Sequence, residues 1–122
     1  MYLIKLNATS STNDFLKHLA VKQSLSNFTV VWADVQTNGR GQMGAEWVTE
    51  SSKNLTFSVL LNSLNLQTPD LFTLNVMIAN AVSKALESYN LTNIWVKWPN
   101  DILLYNKKVA GILIENNIKA DG

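Results

Sequence analysis

A chain of 122 residues, 47% of them hydrophobic and 16% charged, has the apolar material for one ordinary domain and too little charge to stay disordered. Ten basic against nine acidic residues leave a net charge of +1, which argues against a nucleic-acid partner, because such binders carry a basic excess. The absence of cysteine removes disulfides, thiolate zinc sites and cysteine nucleophiles, and it fits a reducing, cytoplasmic setting.

The N-terminal Met1-Tyr2-Leu3-Ile4-Lys5-Leu6 lacks the basic and long apolar regions of a signal peptide. The longest apolar runs fall far short of the ~20 residues that span a bilayer, so a soluble protein with no membrane partner is expected. Tyr2–Asn7 is short and apolar and is expected to be a strand. Ser10-Ser11-Thr12-Asn13-Asp14 then leads into Phe15, Leu16, Leu19 and Ala20. Ser11 with Asp14 fits a capping box ahead of an amphipathic helix over Thr12–Gln23. Phe28–Val35 is β-branched and aromatic, hence a strand. Thr37–Lys53 holds Asn, three Gly, Ser and Thr and reads as a long loop. Asn54–Leu61 alternates polar and apolar, as a half-buried strand does.

Thr68-Pro69-Asp70 opens a helix with a hydroxyl cap, Pro at the first position and an acid in the first turn. Leu71, Leu74, Ile78, Val82, Ala85, Leu86 and Tyr89 hold helical spacing, and Val76, Met77, Ala79 and Ala81 fill much of the remaining circumference. This helix, Thr68–Tyr89, is therefore expected to be buried over a wide face. Ile94–Trp98 is a strand. Ile102–Tyr105 and Lys108–Glu115 form a hairpin turning at Asn106-Lys107. The order β-α-β-β-α-β-β-β implies an α+β fold with a mixed, mostly antiparallel sheet. The chain stops at Lys119-Ala120-Asp121-Gly122, turn chemistry with nothing to turn into. A C-terminally truncated domain is expected, with an open edge at Lys108–Glu115 suited to pairing with another copy as a homodimer.

Three motifs carry chemistry. In Gly39-Arg40-Gly41-Gln42-Met43-Gly44, the glycines let backbone approach a ligand and successive N–H groups form an anion nest. Arg40 adds a fork of donors suited to phosphate or carboxylate, and Trp47 a flat apolar face. The same glycines would also serve a plain surface loop. In Val96-Lys97-Trp98-Pro99-Asn100-Asp101, alternation puts Lys97 opposite Val96 and Trp98. Facing inward it must meet an anion; facing outward it is an ordinary surface lysine, and the pattern leaves both open. Pro99 ends the strand, and Asn100-Asp101 makes the next turn, with Asp101 either a turn former or a partner for a metal or ligand. Ser10-Ser11-Thr12-Asn13 lies at a helix N-terminus, where free N–H groups and the dipole favour polar or anionic ligands and where plain capping also explains Ser and Thr. The Gly-Arg-Gly loop and the Lys97–Asp101 run are expected to be two halves of one anion-handling site. His18 is the only histidine and reads as structural. Glu115 is placed to pair with Lys107 or Lys108 across the hairpin.

In this order the motifs resemble the catalytic domain of biotin–protein ligases over nearly the whole chain. The resemblance is carried by Ser11-Thr12-Asn13, by Gln36 with Gly39–Trp47, by Lys97-Trp98-Pro99-Asn100-Asp101, and by Lys108-Val109-Ala110-Gly111-Ile112-Leu113-Ile114-Glu115. It implies a mostly antiparallel mixed sheet with helices on one face, the class II synthetase-like fold of biotin and lipoate ligases. It also implies adenylation of biotin with ATP and Mg2+ to biotinyl-5'-AMP, then transfer to a lysine of the biotin carboxyl carrier domain of acetyl-CoA carboxylase or another biotin-dependent carboxylase.

By this resemblance Ser11, Thr12 and Asn13 bind the biotin ureido ring, and Gln36 contacts biotin or the adenylate. Arg40, Gly41 and Gln42 lie in a loop that folds over the adenylate, with Gly39 and Trp47 in the same binding region. Lys97 holds the biotin carboxylate and the α-phosphate, and Gly111 lets backbone approach biotin. Asn100 and Asp101 are included among the binding residues; Lys97 and Arg40 are the expected catalytic pair, and no protein-held metal is expected. Gln42 stands where the family commonly has a second arginine, so a looser hold on the adenylate is expected.

The family's domain continues past Gly122 and ends in a small C-terminal β domain. The 122 residues are thus expected to be its N-terminal portion, with no helix-turn-helix ahead of it and little or no ligation by themselves. The rival readings are a lipoate–protein ligase or octanoyltransferase of the same superfamily, or a non-catalytic biotin-binding remnant. Octanoyltransferases need a cysteine, and lipoate ligases carry Arg-Arg-x-Ser-Gly-Gly-Gly where this chain has Gly39–Trp47. Lys97 and Arg40 argue against a decayed site.

Overall fold

The computed structural model describes residues 2–62 and 70–116, the side chain of residue 70 excepted. The chain divides into two compact units, Met1–Asn65 and Leu66–Gly122. The cap at Thr68 and Pro69 and the terminal turn at Lys119–Gly122 lie outside the described residues.

In the first unit, β1 (Tyr2–Thr9) runs parallel to β2 (Thr29–Gln36), which pairs antiparallel with β5 (Thr56–Val59), giving the order β1-β2-β5. The intervening α1 (Thr12–Lys22) packs on β2 and β5. Ser11 caps it in an extended conformation, its hydroxyl accepting from the Asp14 N–H at 3.2 Å. Leu16 is the buried anchor of α1, above the fully buried Val31 and Ala33 of β2. The second β strand starts one residue later than its β-branched run suggests, because Phe28 takes a left-handed φ of 64° and is left exposed.

One expectation is sharpened here and one is corrected. Asn54–Leu61 does alternate, but its inward face is the polar one. Thr56 and Ser58 are buried at 9% and 7% exposure, whereas Phe57 and Val59 are 49% and 41% exposed. The register explains this: Ser58 lies opposite Val31 and Thr56 opposite Ala33, on the face that α1 covers, while Phe57 lies opposite Trp32 on the other face. That outer face bears Leu3, Val30, Trp32, Phe57 and Val59. There Lys5 lies over the Trp32 ring at 4.6 Å and pairs with Asp34 at 2.8 Å. Second, the long loop is folded. β3 (Gly39–Arg40) pairs antiparallel with β4 (Glu46–Trp47), enclosing a 3-10 turn over Gln42–Gly44. The Gly41 N–H donates to the Ala45 carbonyl at 2.7 Å, and Met43 and Gly44 carry the turn at φ 55° and 80°.

In the second unit, α2 (Asp70–Glu87) packs on the antiparallel sheet β6-β7-β8, formed by Ile94–Lys97, Asp101–Leu104 and Lys107–Gly111. Ile102, Ala79 and Leu74 form its centre at 0%, 3% and 9% exposure. The wide burial expected of α2 is not found: Phe72, Val76, Met77 and Tyr89 are exposed. In this unit β6 and β7 are the strands that chiefly back the helix, and one sheet face covers one stripe of a helix. Phe72 meets the Trp98 ring at 5.1 Å between centroids.

The hairpin turns at Tyr105-Asn106, one residue before the expected position, with φ 49° and 68°. Both central residues thus have the positive φ that a two-residue type I′ turn needs. Asn90 and Asn93, at φ 64° and 58°, shape the entry to β6, consistent with asparagine's tolerance of this region.

Candidate functional site

The helix start and the end of β2 are drawn together in the first unit. Parallel pairing carries on past both strands: the Thr37 N–H donates to Thr9 at 3.0 Å and the Asn38 N–H to Ser10 at 2.7 Å. This sets Gln36 beside the first turn of α1. Gln36 Oε1 accepts from the Thr12 backbone N–H at 2.9 Å and lies 3.3 Å from Thr12 Oγ1. Thr12 Oγ1 is 2.7 Å from Ser58 Oγ, and Ser58 donates in turn to Asn13 Oδ1. Ser11 and Thr12 are almost wholly buried, at 4% and 3% exposure. One of the N–H groups left over at the helix start is therefore taken by a side chain from another strand rather than by a local cap.

Gly39 sits against this cluster. A β-carbon there would stand 2.4 Å from Gln36 Nε2 and 2.8 Å from the Trp47 carbonyl oxygen. Its glycine is required by close approach, and so is the path of the hairpin that follows. Arg40, next along, reaches back to the helix: its Nη1 donates to Asp14 Oδ2 at 2.6 Å. The hydrogen bond from Arg40 holds the Asp14 carboxyl below its ordinary value of 3.8, against the opposing effect of desolvation. Asp14 thus ties the Gly-rich hairpin to α1, a role beyond the capping box in which it was expected. Gln42 lies in the 3-10 turn, and Trp47 is half-buried behind Gly39.

In the second unit, Lys97 ends β6 rather than sitting mid-strand, and its side chain is exposed with no ion-pair partner among the described residues. Register places Lys97 opposite Asp101, and Asp101 opposite Gly111. Asp101 pairs with Lys108 at 3.1 Å. Asn100 clamps the chain beyond Gly111: its side-chain amide donates to the Ile112 carbonyl and its own carbonyl accepts the Ile112 N–H, both at 2.9 Å. Asn100 and Asp101 therefore have structural partners, and Asp101 of β7 stands between Lys97 of β6 and Gly111 of β8. The Trp98–Pro99 peptide bond is cis.

The structure thus brings together Ser11, Thr12, Asn13, Gln36, Gly39 and Arg40 in one unit, and Lys97, Asn100, Asp101 and Gly111 in the other. Two contributors lie outside the motifs. Ser58 had a signal, a hydroxyl on an alternating strand, but alternation does not say which of the two faces is buried. The pairing of Asp14 with Arg40 spans 26 positions and leaves no local pattern.

An α+β domain with a buried polar cluster at a helix start is the class these features define. The biotin/lipoate A/B protein ligase family matches residues 6–122, and the chain belongs to that family. It is 35% identical to the bifunctional ligase/repressor BirA of Bacillus spizizenii, over 98% of this chain and 36% of that protein. It is 32% identical to the biotin–[acetyl-CoA-carboxylase] ligase of Paracoccus denitrificans, over 96% of this chain and 48% of that protein. The structure of the biotin protein ligase of Aquifex aeolicus in complex with biotin and ATP superposes with a TM-score of 0.80, at 36% identity, covering 94% of this chain and 47% of that one. The chain thus spans less than half the length of these relatives.

Proposed function

We propose that this chain supplies the biotin- and adenylate-handling part of an ATP-dependent biotin–protein ligase. The observation that carries the proposal is the buried network of Thr12, Gln36, Ser58 and Asn13 beside the Gly39-Arg40 hairpin. A polar cluster at a helix start, walled by a strand and bordered by a cation, suits a neutral hydrogen-bonding ring that ends in an anion. The named relatives support biotin as that ligand and ATP as its partner.

In the reaction, a biotin carboxylate oxygen attacks the α-phosphorus of ATP; the acyl–phosphate bond forms as the bond to pyrophosphate breaks. A lysine amine of a carrier domain then attacks the acyl carbon, releasing AMP and a proton and leaving an amide. The first step brings two anions together, and a fixed cation between them lowers the barrier. We assign that task to Lys97, whose backbone is held by pairing with β7. Ser11, Thr12, Asn13 and Gln36 take the ureido ring. Arg40, Gly41 and Gln42 close over the adenylate and keep water from the mixed anhydride, with Trp47 as an apolar wall. Gly111 allows backbone approach, placed by Asn100 and Asp101. Among the described residues no group of three or more acidic, His or Cys side chains fits a resident metal; Mg2+ is expected to arrive on the phosphates of ATP, as part of the substrate.

The family also handles lipoate. Calorimetric titration of the intact protein with biotin and with lipoate decides between them: biotin binds and lipoate does not. Preference for lipoate would overturn the assignment.

A further inference from the structure

Ser58 of β5 is 7% exposed, and its hydroxyl touches two residues assigned to the ureido ring, Thr12 and Asn13. A hydroxyl has one proton to give. Ser58 gives its proton to Asn13 Oδ1, so at Thr12, 2.7 Å away, Ser58 must accept. The Thr12 hydroxyl proton is thereby committed to Ser58, and the longer contact from Thr12 Oγ1 to Gln36 Oε1, 3.3 Å, is the weaker claim on it. Gln36 Oε1 is satisfied instead by the Thr12 backbone N–H at 2.9 Å.

Donation therefore runs one way, from Thr12 to Ser58 to Asn13. This direction has three consequences. The Asn13 amide is turned so that its oxygen faces Ser58 and its NH2 faces away. The remaining lone pairs of Thr12 Oγ1 are left as acceptors. Gln36 keeps its Nε2 on the Gly39 side, where an added β-carbon would meet it at 2.4 Å. A ureido group has a carbonyl that accepts and N–H groups that donate, so a ligand of this kind needs donors and acceptors in fixed places. A single buried serine decides which is which.

We propose that Ser58 is a positioning residue of the biotin site, setting the amide orientation of Asn13 and the proton direction at Thr12 without touching the ligand itself. The proposal rests on the ligase reading. Its test compares wild type, Ser58→Ala and Ser58→Thr in the intact protein, by steady-state formation of biotinyl-adenylate, with thermal midpoints confirming that each variant is folded. Removing the hydroxyl raises KM for biotin about tenfold, the effect of one lost hydrogen-bonding alignment, while kcat and KM for ATP stay within about threefold. Ser58→Thr keeps the oxygen and restores the biotin KM. An unchanged biotin KM in Ser58→Ala overturns the assignment, as does a parallel loss for biotin and ATP or a failure of threonine to restore binding. Wild-type protein that forms no adenylate from biotin overturns the ligase reading and this assignment with it, whereas active wild type with a normal Ser58→Ala KM overturns the assignment alone.

Discussion

The two units place their candidate site residues by different means. In the first, the residues are locked to one another by side chains: Thr12, Gln36, Ser58 and Asn13 share hydrogen bonds, and Arg40 is held by Asp14. In the second, backbone register does the placing. Lys97, Asp101 and Gly111 stand across adjacent strands, and the exposed Lys97 side chain has no ion-pair partner among the described residues. A buried serine marks the contrast. Ser58 and Ser83 are equally buried at 7% exposure, yet Ser83 Oγ has no hydrogen-bond partner among the described residues. A side-chain network fixes donors and acceptors, which suits recognition of a neutral ring. A rigid strand with an exposed cation at its end suits a charge that appears during reaction.

This contrast predicts that substitutions in the second unit can cost rate with little cost in stability. Lys97→Ala is expected to lower carrier biotinylation by the intact protein by ~10²–10³-fold, in line with losing one donor that stabilises the transition state. Its thermal midpoint should match wild type, because the side chain is exposed. A near-normal rate would end the assignment of Lys97.

The first unit should behave oppositely, with stability and binding falling together. Gly39→Ala drives a β-carbon against Gln36 and the Trp47 carbonyl; overpacking of this kind costs ~1–3 kcal/mol. Urea unfolding reads the stability, and a biotin titration should weaken in step. Retained stability with lost binding would mean that Gly39 serves the ligand rather than the fold.

The Asp14–Arg40 pair predicts a smaller, pH-dependent effect. Arg40 lowers the Asp14 carboxyl below 3.8, so the pair's contribution is complete above that pH and disappears as pH falls through the lowered value. Both side chains are about a third exposed, 36% for Arg40 and 34% for Asp14, and solvent screening limits the pair to ~0.2–1 kcal/mol. Asp14→Asn should therefore be destabilised by that amount at neutral pH and match wild type in strong acid, by denaturant titration at each pH. A constant difference across the range would exclude the ion pair as its cause.

Gln42→Arg is expected to slow release of free adenylate, since a charged fork holds phosphate better than an amide; equal release would sink the idea. Ser83→Ala is expected to be the mildest change, neutral or stabilising by up to ~1 kcal/mol, because a buried hydroxyl without a partner only costs desolvation. Measurable destabilisation by calorimetry would point to a partner for Ser83.

Local chemistry determined much of this protein. The Ser11 cap, the helical spacing of α1 and α2 and the Gly-rich turn each depend on neighbours a few residues away, so they were legible without a structure, as was the family once its motifs stood in order. Even there, the hairpin turn lay one residue off, because Tyr105, a residue type that seldom takes positive φ, holds one of its two central positions at 49°. Tertiary structure alone decided which face of a strand is buried. Alternation in Asn54–Leu61 marks two faces without naming the inner one; α1 covers the face of Thr56 and Ser58 because Val31 and Ala33 lie beside them. It also decided that Arg40 meets Asp14 and that Ser58 joins Thr12 to Asn13. Those contacts link residues 26, 46 and 45 positions apart, and only the pairing of strands brings such distant residues to hydrogen-bonding distance.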